Sequence, residues 1–171
     1  DPRLIHWPTT ARTGTLMVRE NVEVRRPEFT VVVDTGEAIG TDDDFEEIVD
    51  VAASVAIQAL RTGLDVVVRT TDHLHPGQRT ALQTEAQVLD LLTVVGRTTD
   101  RAPLAIASLF AQGFDHTSVL LVTGPHGPTS RVATVHQMMT IRIGHGAQAG
   151  GDIAFAAQDG ADFATRWRSW K

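Results

Sequence analysis

The stretch FTVVVDTGEA, residues 29–38, decides the fold. A run of β-branched residues without polar alternation leads to a single carboxylate, Asp34, and the chain then breaks at Gly36. Such a run is typical of a strand buried on both faces, as in a parallel sheet covered by helices. Ligands of open parallel sheets gather at the carboxyl ends of the strands. Asp34 is therefore a candidate site residue, although a carboxylate that closes a strand is also an ordinary cap for the next turn.

The segment after this strand has helical periodicity. Apolar residues recur at three- and four-residue steps from Phe45 to Leu60, and Gly63 stands where a helix would end. The pattern predicts a helix over about 43–62.

The acidic run TDDDFEE, 41–47, has two interpretations. Several carboxylates close together could hold a divalent cation, because hard cations prefer oxygen ligands. Acidic residues in a first helical turn also complement the helix dipole, and Thr41 or Asp42 can cap the helix. The second interpretation is favoured.

Strands and helices alternate through the rest of the chain. Strands are predicted at 64–70, 117–124, 140–144 and 152–157, and helices at 83–95, 102–113 and 130–139, followed by a closing helix with Phe163, Trp167 and Trp170 on one face. The fold class predicted from this order is α/β, a doubly wound and mostly parallel sheet with right-handed crossovers.

The chain is predicted to have an N-terminal extension and one globular unit. Residues 1–28 form a clasp segment with an edge strand at 16–24, which ends before Pro27, and residues 29–171 form the main domain. A chain of 171 residues that is 42% hydrophobic is long enough for one such core.

Composition excludes several classes of function. The formal charge of −6 opposes general attraction to nucleic acid or to an anionic membrane. Lys171 is the only lysine, so neither a GxxxxGK[ST] phosphate loop nor a lysine Schiff base can form in the body of the chain. The chain has no cysteine, which excludes disulfides and thiolate metal sites.

The expected location is the cytoplasm. The absence of cysteine fits a reducing compartment, and no apolar run approaches the roughly 18 residues that span a bilayer. The first residues have no secretory pattern and no initiator methionine, so the chain is interpreted as a soluble piece of a longer protein.

Histidines offer a second candidate site. His73 and His75, with Asp72 beside them, would face one way on a strand and could share a metal ion. The stretch is instead typical of a polar loop, and no third ligand is close in sequence. His126 and His145 lie in glycine-flanked loops and could act as general bases, but neither is paired with a recognisable nucleophile.

The N-terminal segment DPRLIHWPTTARTGTLMVRE has the most distinctive composition. Its cationic and aromatic residues are Arg3, His6, Trp7, Arg12 and Arg19. They could form an anion or nucleic-acid patch with an aromatic platform. The favoured interpretation is a structural clasp, in which Trp7 packs against the domain and the arginines pair with carboxylates or carbonyls.

This segment, followed by a buried strand that ends in an aspartate, resembles the bacterial family called domain of unknown function number fifty-eight. Members of that family have a short D-x-R-x-I-x-W-x-x-[ST]-A-R segment ahead of a von Willebrand factor A-like domain. The matching positions here are Asp1, Arg3, Ile5, Trp7, Thr10, Ala11, Arg12 and Arg19. Pro8 departs from the basic residue often found after the tryptophan.

The resemblance implies a Rossmann-like sheet with a metal-ion-dependent adhesion site on its upper rim. In relatives, that site takes an aspartate and two serines from a D-x-S-x-S turn, a threonine from a second loop and an aspartate after a later strand. Asp34 matches the first aspartate, but Gly36 and Ala38 stand in place of the serines. Gly124 stands where the last aspartate is expected.

The second loop resembles 96–107, so Thr98 or Thr99 matches the threonine. A cation would have to replace its missing ligands with water or with Glu37 or Asp100. The site is therefore interpreted as degenerate, with Asp34 bonded to backbone amides or to Thr99. No cofactor is expected, and weak Mg²⁺ binding is the alternative.

The resemblance implies an adaptor rather than an enzyme. Members look like modules that are often encoded beside a MoxR-type AAA+ ATPase and help to assemble or activate other proteins, with membrane helices elsewhere in the full-length chain. The implied partner is such an ATPase, not nucleic acid or a membrane. The implied interaction rim comprises Thr35, Glu37, Thr98, Asp100 and His126. The alternative function is a metal-assisted hydrolase that uses the His73 cluster.

Overall fold

The computed structural model describes residues 27–36, 39–71, 81–98, 118–127, 137–151 and 153–169. In chain order, the elements are β1 (Glu28–Val33), α1 (Asp42–Arg61), β2 (Asp65–Thr70), α2 (Glu85–Thr93), β3 (Ser118–Thr123), β4 (Gln137–Ile143), β5 (Ile153–Ala157) and α3 (Gly160–Ser169).

The five described strands form one parallel sheet in the order β2-β1-β3-β4-β5. The first crossover leads from β1 to β2 on one side, and the later strands lie on the other side of β1. The sequence prediction of a mostly parallel α/β sheet is confirmed. Because the chain adds β2 on one side of β1 and the later strands on the other side, a topological switch point lies between β1 and β3. Sheets of this kind hold their ligands at such a point.

Both faces of β1 are buried, as its unbroken apolar run predicts. Val31 and Val33 belong to the main hydrophobic core, and both are fully buried. Val32 lies on the opposite face, in register with Leu121 of β3, and both of these residues are also buried. The sheet is therefore covered on both sides, which is the doubly wound arrangement.

Helices α1 and α3 pack on the core face of the sheet. The buried face of α1 consists of Phe45, Ile48, Val51, Ala52, Val55, Ala56 and Ala59. On α3, the Phe163 ring meets the Phe155 ring of β5 edge to face, with centroids 5.4 Å apart, and stacks on Trp167. The described apolar positions that predicted these two helices all pack in or against the core, and Trp170 lies outside the described residues.

Helix α1 begins and ends as its sequence predicts, within one residue at each end. Its start is a capping box, in which the Thr41 hydroxyl accepts from the Asp44 amide at 3.1 Å and the Asp44 carboxylate accepts from the Thr41 amide at 2.9 Å. Gly63 follows the helix with φ +85°, a conformation that favours glycine. The acidic run at this end of the sheet is thus part of a helix start.

One predicted boundary is wrong. The helix predicted over 130–139 cannot include its last three residues, because β4 begins at Gln137. Met138 and Met139 pair with Val119 and Leu120 of β3, so cross-strand pairing overrides the weak helical periodicity of this stretch.

Several predictions lie outside the described residues. These are the clasp and edge strand within residues 1–26, the helix over 102–113, the helical part of 130–136, and Trp170. Among the described helices, none combines the length and the apolar character needed to cross a membrane.

The capping carboxylate has a perturbed acidity. Hydrogen bonds from the Thr41 amide and hydroxyl, together with the amide and charge of His145, lower the pKa of Asp44 from its ordinary value of 3.8, against an opposing effect of partial burial. Because the folded pKa lies below the unfolded one, this carboxylate stabilises the fold above pH 3.8, and the effect is lost as pH falls through the folded pKa.

We expect Asp44→Ala to lower the free energy of unfolding by about 1 kcal/mol at pH 7, because two donors of the capping box lose their acceptor. The difference from wild type should shrink as the pH is lowered below about 4. Urea unfolding at a series of pH values measures it. Asp43→Ala is the matched control, since Asp43 is exposed in the same turn. A pH-independent difference would contradict the capping role.

Candidate functional site

Asp34 lies at the switch point, one residue beyond the end of β1. Its amide donates to the Val122 carbonyl of β3 at 2.9 Å, so the pairing of β1 with β3 extends through it. The residue is 1% exposed. Strand β1, which the sequence predicted, therefore places a buried carboxylate at the carboxyl edge of the sheet.

Three hydrogen bonds from described residues hold the Asp34 carboxylate. The Gly36 amide donates to Oδ1 at 3.0 Å, in the manner of an Asx turn. The Thr71 hydroxyl donates to the same oxygen at 3.4 Å, and the Thr123 hydroxyl donates to Oδ2 at 2.5 Å. These donors follow or end three neighbouring strands, so one carboxylate ties β2, β1 and β3 together at their carboxyl ends.

A second layer of hydrogen bonds lies beside the first. The Thr35 amide donates to the Thr71 hydroxyl oxygen at 3.0 Å, and the two threonine hydroxyl oxygens are also 3.0 Å apart. The Thr71 amide donates to the Val33 carbonyl at 3.1 Å. Thr71 therefore bonds to the Asp34 carboxylate and to the main chain of Val33 and Thr35, the residues before and after Asp34. These bonds fix the path of the chain as it leaves β1.

Thr123 is held in place by the loop that follows β3. Gly127 approaches so closely that a Cβ atom there would overlap the Thr123 hydroxyl. The Gly127 amide donates to the Gly124 carbonyl at 3.1 Å, and its own carbonyl accepts from Arg142 Nη2 at 2.8 Å. The glycine is needed because any side chain would displace the donor of Asp34.

The loop between β1 and α1 fills the crevice at the switch point. Ile39 is fully buried, and its main chain lies against Gly124. A Cβ atom on Gly124 would come within 2.3 Å of the Ile39 carbonyl oxygen. The position where a ligand of an α/β sheet would enter is thus occupied by the protein's own backbone.

The segment after α2 is tied to the same edge. The Thr98 amide donates to the Thr35 carbonyl at 2.8 Å. Arg97 bonds through Nη1 to the Asp42 carboxylate and through Nη2 to the Gly40 carbonyl at 3.0 Å. Arg97 and Thr98, at the start of the predicted second loop, therefore contact the segment that follows β1, and the rest of that loop lies outside the described residues.

Among the described residues, the exposed residues above this edge include Thr41, Asp42, Asp43, His126 and His145. From here on the rim means these five residues, which share only His126 with the interaction rim implied by the family resemblance. Asp42 is paired with Arg97, and Asp43 projects from the first turn of α1. Two carboxylates and two histidines thus face solvent above the buried residues that are hydrogen-bonded around Asp34.

The described residues do not fit a magnesium site. Both Asp34 oxygens already accept hydrogen bonds, and the residue is shielded from solvent. Among the residues that the structure describes, no three histidine or carboxylate side chains cluster as ligands. An aspartate at position 124 would collide with the Ile39 main chain.

The predicted site residues fall into three groups. Asp34 and Thr98 lie at the same edge, and His126 is exposed in the turn that follows β3. Thr35 is also at the edge but is fully buried, so its side chain does not belong to the exposed surface. Outside the described residues lie Glu37, Thr99, Asp100, the candidate metal cluster of Asp72, His73 and His75, and the N-terminal Asp1, Arg3, His6, Trp7, Arg12 and Arg19.

Sequence reasoning predicted that Asp34 bonds to backbone amides or to Thr99, which lies outside the described residues. The Gly36 amide is a donor of the first kind, but the hydroxyl donors Thr71 and Thr123 were missed. Thr71 and Thr123 had a detectable signal. Each is a threonine at the end of an apolar run that was itself predicted as a strand. In a parallel sheet such residues meet at one edge, so they were candidates for the partners of Asp34.

We expect Asp34→Ala to lower the free energy of unfolding by about 3–5 kcal/mol, because three buried donors would lose their acceptor. Asp34→Asn should cost less, since Oδ1 remains an acceptor and the Thr123 hydroxyl can turn to accept from the new amide. Urea unfolding at pH 7 measures both. Asp43→Ala, at an exposed carboxylate, should change stability by only about 0.5 kcal/mol. An Asp34→Ala variant as stable as this control would contradict the structural role.

Comparisons with known proteins give one match. No curated protein and no solved structure resembles the chain closely enough to be informative. The model of the family described as "Protein of unknown function DUF58" matches residues 1–108, which is more than half of the sequence. The chain belongs to the DUF58 family of proteins of unknown function.

Proposed function

We propose that this chain is a non-catalytic interaction domain, an adaptor that works with a MoxR-type AAA+ ATPase in the assembly or activation of other proteins. The partner is suggested by the family resemblance and not by any contact in the structure. The supporting observation from the structure is the filled crevice between β1 and β3, where Ile39 packs on Gly124 and the Asp34 carboxylate is fully bonded.

Because Ile39 lies in the crevice between β1 and β3, a role in recognition at the protein surface is favoured over a catalytic role within the crevice. A reacting carboxylate needs a free oxygen within reach of substrate, whereas the Asp34 oxygens bond to Gly36, Thr71 and Thr123. These bonds stiffen the loops that lead to the rim. Loops held on a rigid sheet are where recognition residues concentrate.

The same geometry supports a finer proposal, that the domain is von Willebrand factor A-like and that its metal-ion-dependent adhesion site is degenerate. In an intact site a cation would neutralise the first aspartate. Here hydroxyl protons from Thr71 and Thr123 supply the positive partners of Asp34. Glycine at position 124 removes one ligand and admits the Ile39 backbone.

The rim suggests the character of the partner surface. Asp43 projects into solvent, and Asp42 beside it is 88% exposed at the side chain even though it pairs with Arg97. Exposed carboxylates at the centre of a docking surface steer a basic partner and set its register. We therefore propose that the ATPase meets the rim through arginine or lysine side chains.

The degenerate site predicts indifference to divalent cations. Thermal unfolding of the wild-type chain should give the same Tm with and without millimolar Mg²⁺ or Mn²⁺. A cation that bound only the folded state would stabilise it by about 2.7 kcal/mol at a hundredfold excess over Kd. NaCl at equal ionic strength controls for general salt effects. A Tm that rises with Mg²⁺ and saturates would contradict the proposal.

The adaptor proposal predicts that reversing rim charge weakens ATPase binding. Asp43→Lys should reduce the affinity for the MoxR-type ATPase of the same organism by about tenfold, equivalent to about 1.4 kcal/mol. Asp90→Lys makes the same charge change at an exposed position of α2 and should leave binding unchanged. Titration calorimetry with both purified proteins measures the effect. Wild-type chain that does not bind the ATPase, or equal losses in both variants, would reject this rim as the docking surface.

A further inference from the structure

Arg97 brings a guanidinium group to the start of α1. Its Nη1 bonds to an Asp42 carboxylate oxygen, and its Nη2 donates to the Gly40 carbonyl at 3.0 Å. The two acceptors belong to a separate segment, 55 and 57 residues earlier in the chain. Two nitrogens of one planar group are therefore matched by two oxygens of the loop and first turn that lead into the helix.

Both acceptors are open to solvent. Gly40 is exposed, and the Asp42 side chain is 88% exposed although it is paired. The Arg97 side chain is 31% exposed, so it lies over these oxygens without being enclosed. A side chain from outside the domain could therefore reach the same two oxygens.

The acceptors are held in place before any cation binds. The Gly40 carbonyl and the Thr41 amide belong to one peptide group, and the Asp44 carboxylate fixes that group by accepting from the amide at 2.9 Å. Asp42 is the first residue of α1, so its main chain is fixed by the helix. Acceptors that are already positioned lose little freedom when a ligand binds.

The arrangement of the acceptors selects a guanidinium group. A guanidinium presents its N–H donors in a fixed planar fork, whereas an ammonium is a compact charge on a flexible stem. Here one carboxylate and one carbonyl are bound by two prongs of such a fork. Asp42 and Gly40 are therefore better matched to arginine than to lysine.

The Arg97 side chain is held only weakly by these acceptors. Ion pairs between exposed side chains contribute little to stability, and a cation near a helix N-terminus is opposed by the positive end of the helix dipole. The main chain beside it is fixed separately, because the Thr98 amide donates to the carbonyl of the buried Thr35 at 2.8 Å. The side chain can thus leave the site while the main chain stays in place.

We propose that the Asp42 carboxylate and the Gly40 carbonyl form a guanidinium-binding site, which Arg97 occupies in the free chain and an arginine of the partner occupies in the complex. The inference rests on the proposed function, in which the partner meets the rim through cationic side chains. It specifies arginine as the recognised group, and it makes Arg97 an internal competitor of the partner.

A tri-arginine peptide with blocked ends tests the site without the ATPase. If Arg97 occupies the site about four-fifths of the time, Arg97→Gln should bind the peptide about fivefold more tightly than the wild-type chain. The variant should fold normally, because the pair it removes is exposed. Titration followed by the NMR signals of the Asp42 and Asp43 amides measures Kd. Arg61→Gln is the matched control, since it removes the same charge from an exposed pair with Glu85 at the other end of α1.

Two further measurements identify the ligand and the acceptor. A tri-lysine peptide should gain less than about twofold in affinity from Arg97→Gln, because an ammonium lacks the planar fork. Asp42→Asn in the Arg97→Gln background should remove the gain with tri-arginine, since the carboxylate is one of the two acceptors.

Four results of the peptide experiments would overturn the proposal. These are tri-arginine binding by Arg97→Gln that is no tighter than wild type, an equal gain in Arg61→Gln, an equal gain with tri-lysine, and a gain that survives Asp42→Asn.

The ATPase distinguishes this inference from the adaptor proposal. Arg97→Gln should bind the MoxR-type ATPase about fivefold more tightly than wild type in titration calorimetry. Weaker binding would overturn the inference, because Arg97 would then support the docking surface instead of competing for it. If neither chain binds the ATPase, the adaptor proposal is rejected, and the peptide titrations still decide whether the guanidinium site exists.

Discussion

The carboxyl edge of this sheet depends on one buried carboxylate. Asp34 accepts hydrogen bonds from the Gly36 amide and from the hydroxyls of Thr71 and Thr123, which belong to the ends of the two strands beside β1. Removing a charge from water is costly, and the cost is offset only when the remaining lone pairs are satisfied. Three strands must therefore end in register, because any slip would leave the carboxylate without a donor.

The loops above the edge follow from this constraint. With the chain fixed at Thr35, the segment that leads to α1 buries Ile39 against Gly124, and the capping box starts the helix directly afterwards. Arg97 then ties the loop after α2 to this helix start through Asp42. Successive backbone and side-chain contacts among the described residues thus hold the start of α1 and the residues around it.

The sequence was sufficient where structure depends on local pattern and insufficient where it depends on register. The apolar run before Asp34 predicted a strand buried on both faces, and the three- and four-residue spacing in 43–62 predicted α1. The partners of Asp34 lie 37 and 89 residues away and depend on which strands become neighbours. Met138 and Met139 entered a strand for the same reason, since their pairing with β3 is decided by the sheet and not by local propensity.

Position 124 shows how the absence of a side chain shapes this edge of the sheet. Because Gly124 has no side chain, the main chain of Ile39 can approach it, and a Cβ atom at position 124 would lie 2.3 Å from the Ile39 carbonyl oxygen. The buried Asp34 carboxylate beside this contact takes donors from inside the protein, including two threonine hydroxyls. Any side chain at position 124 would require the Ile39 segment to move outward, at the cost of exposing Ile39. If the proposal of a degenerate ion site is correct, the same contact would make such a site difficult to restore.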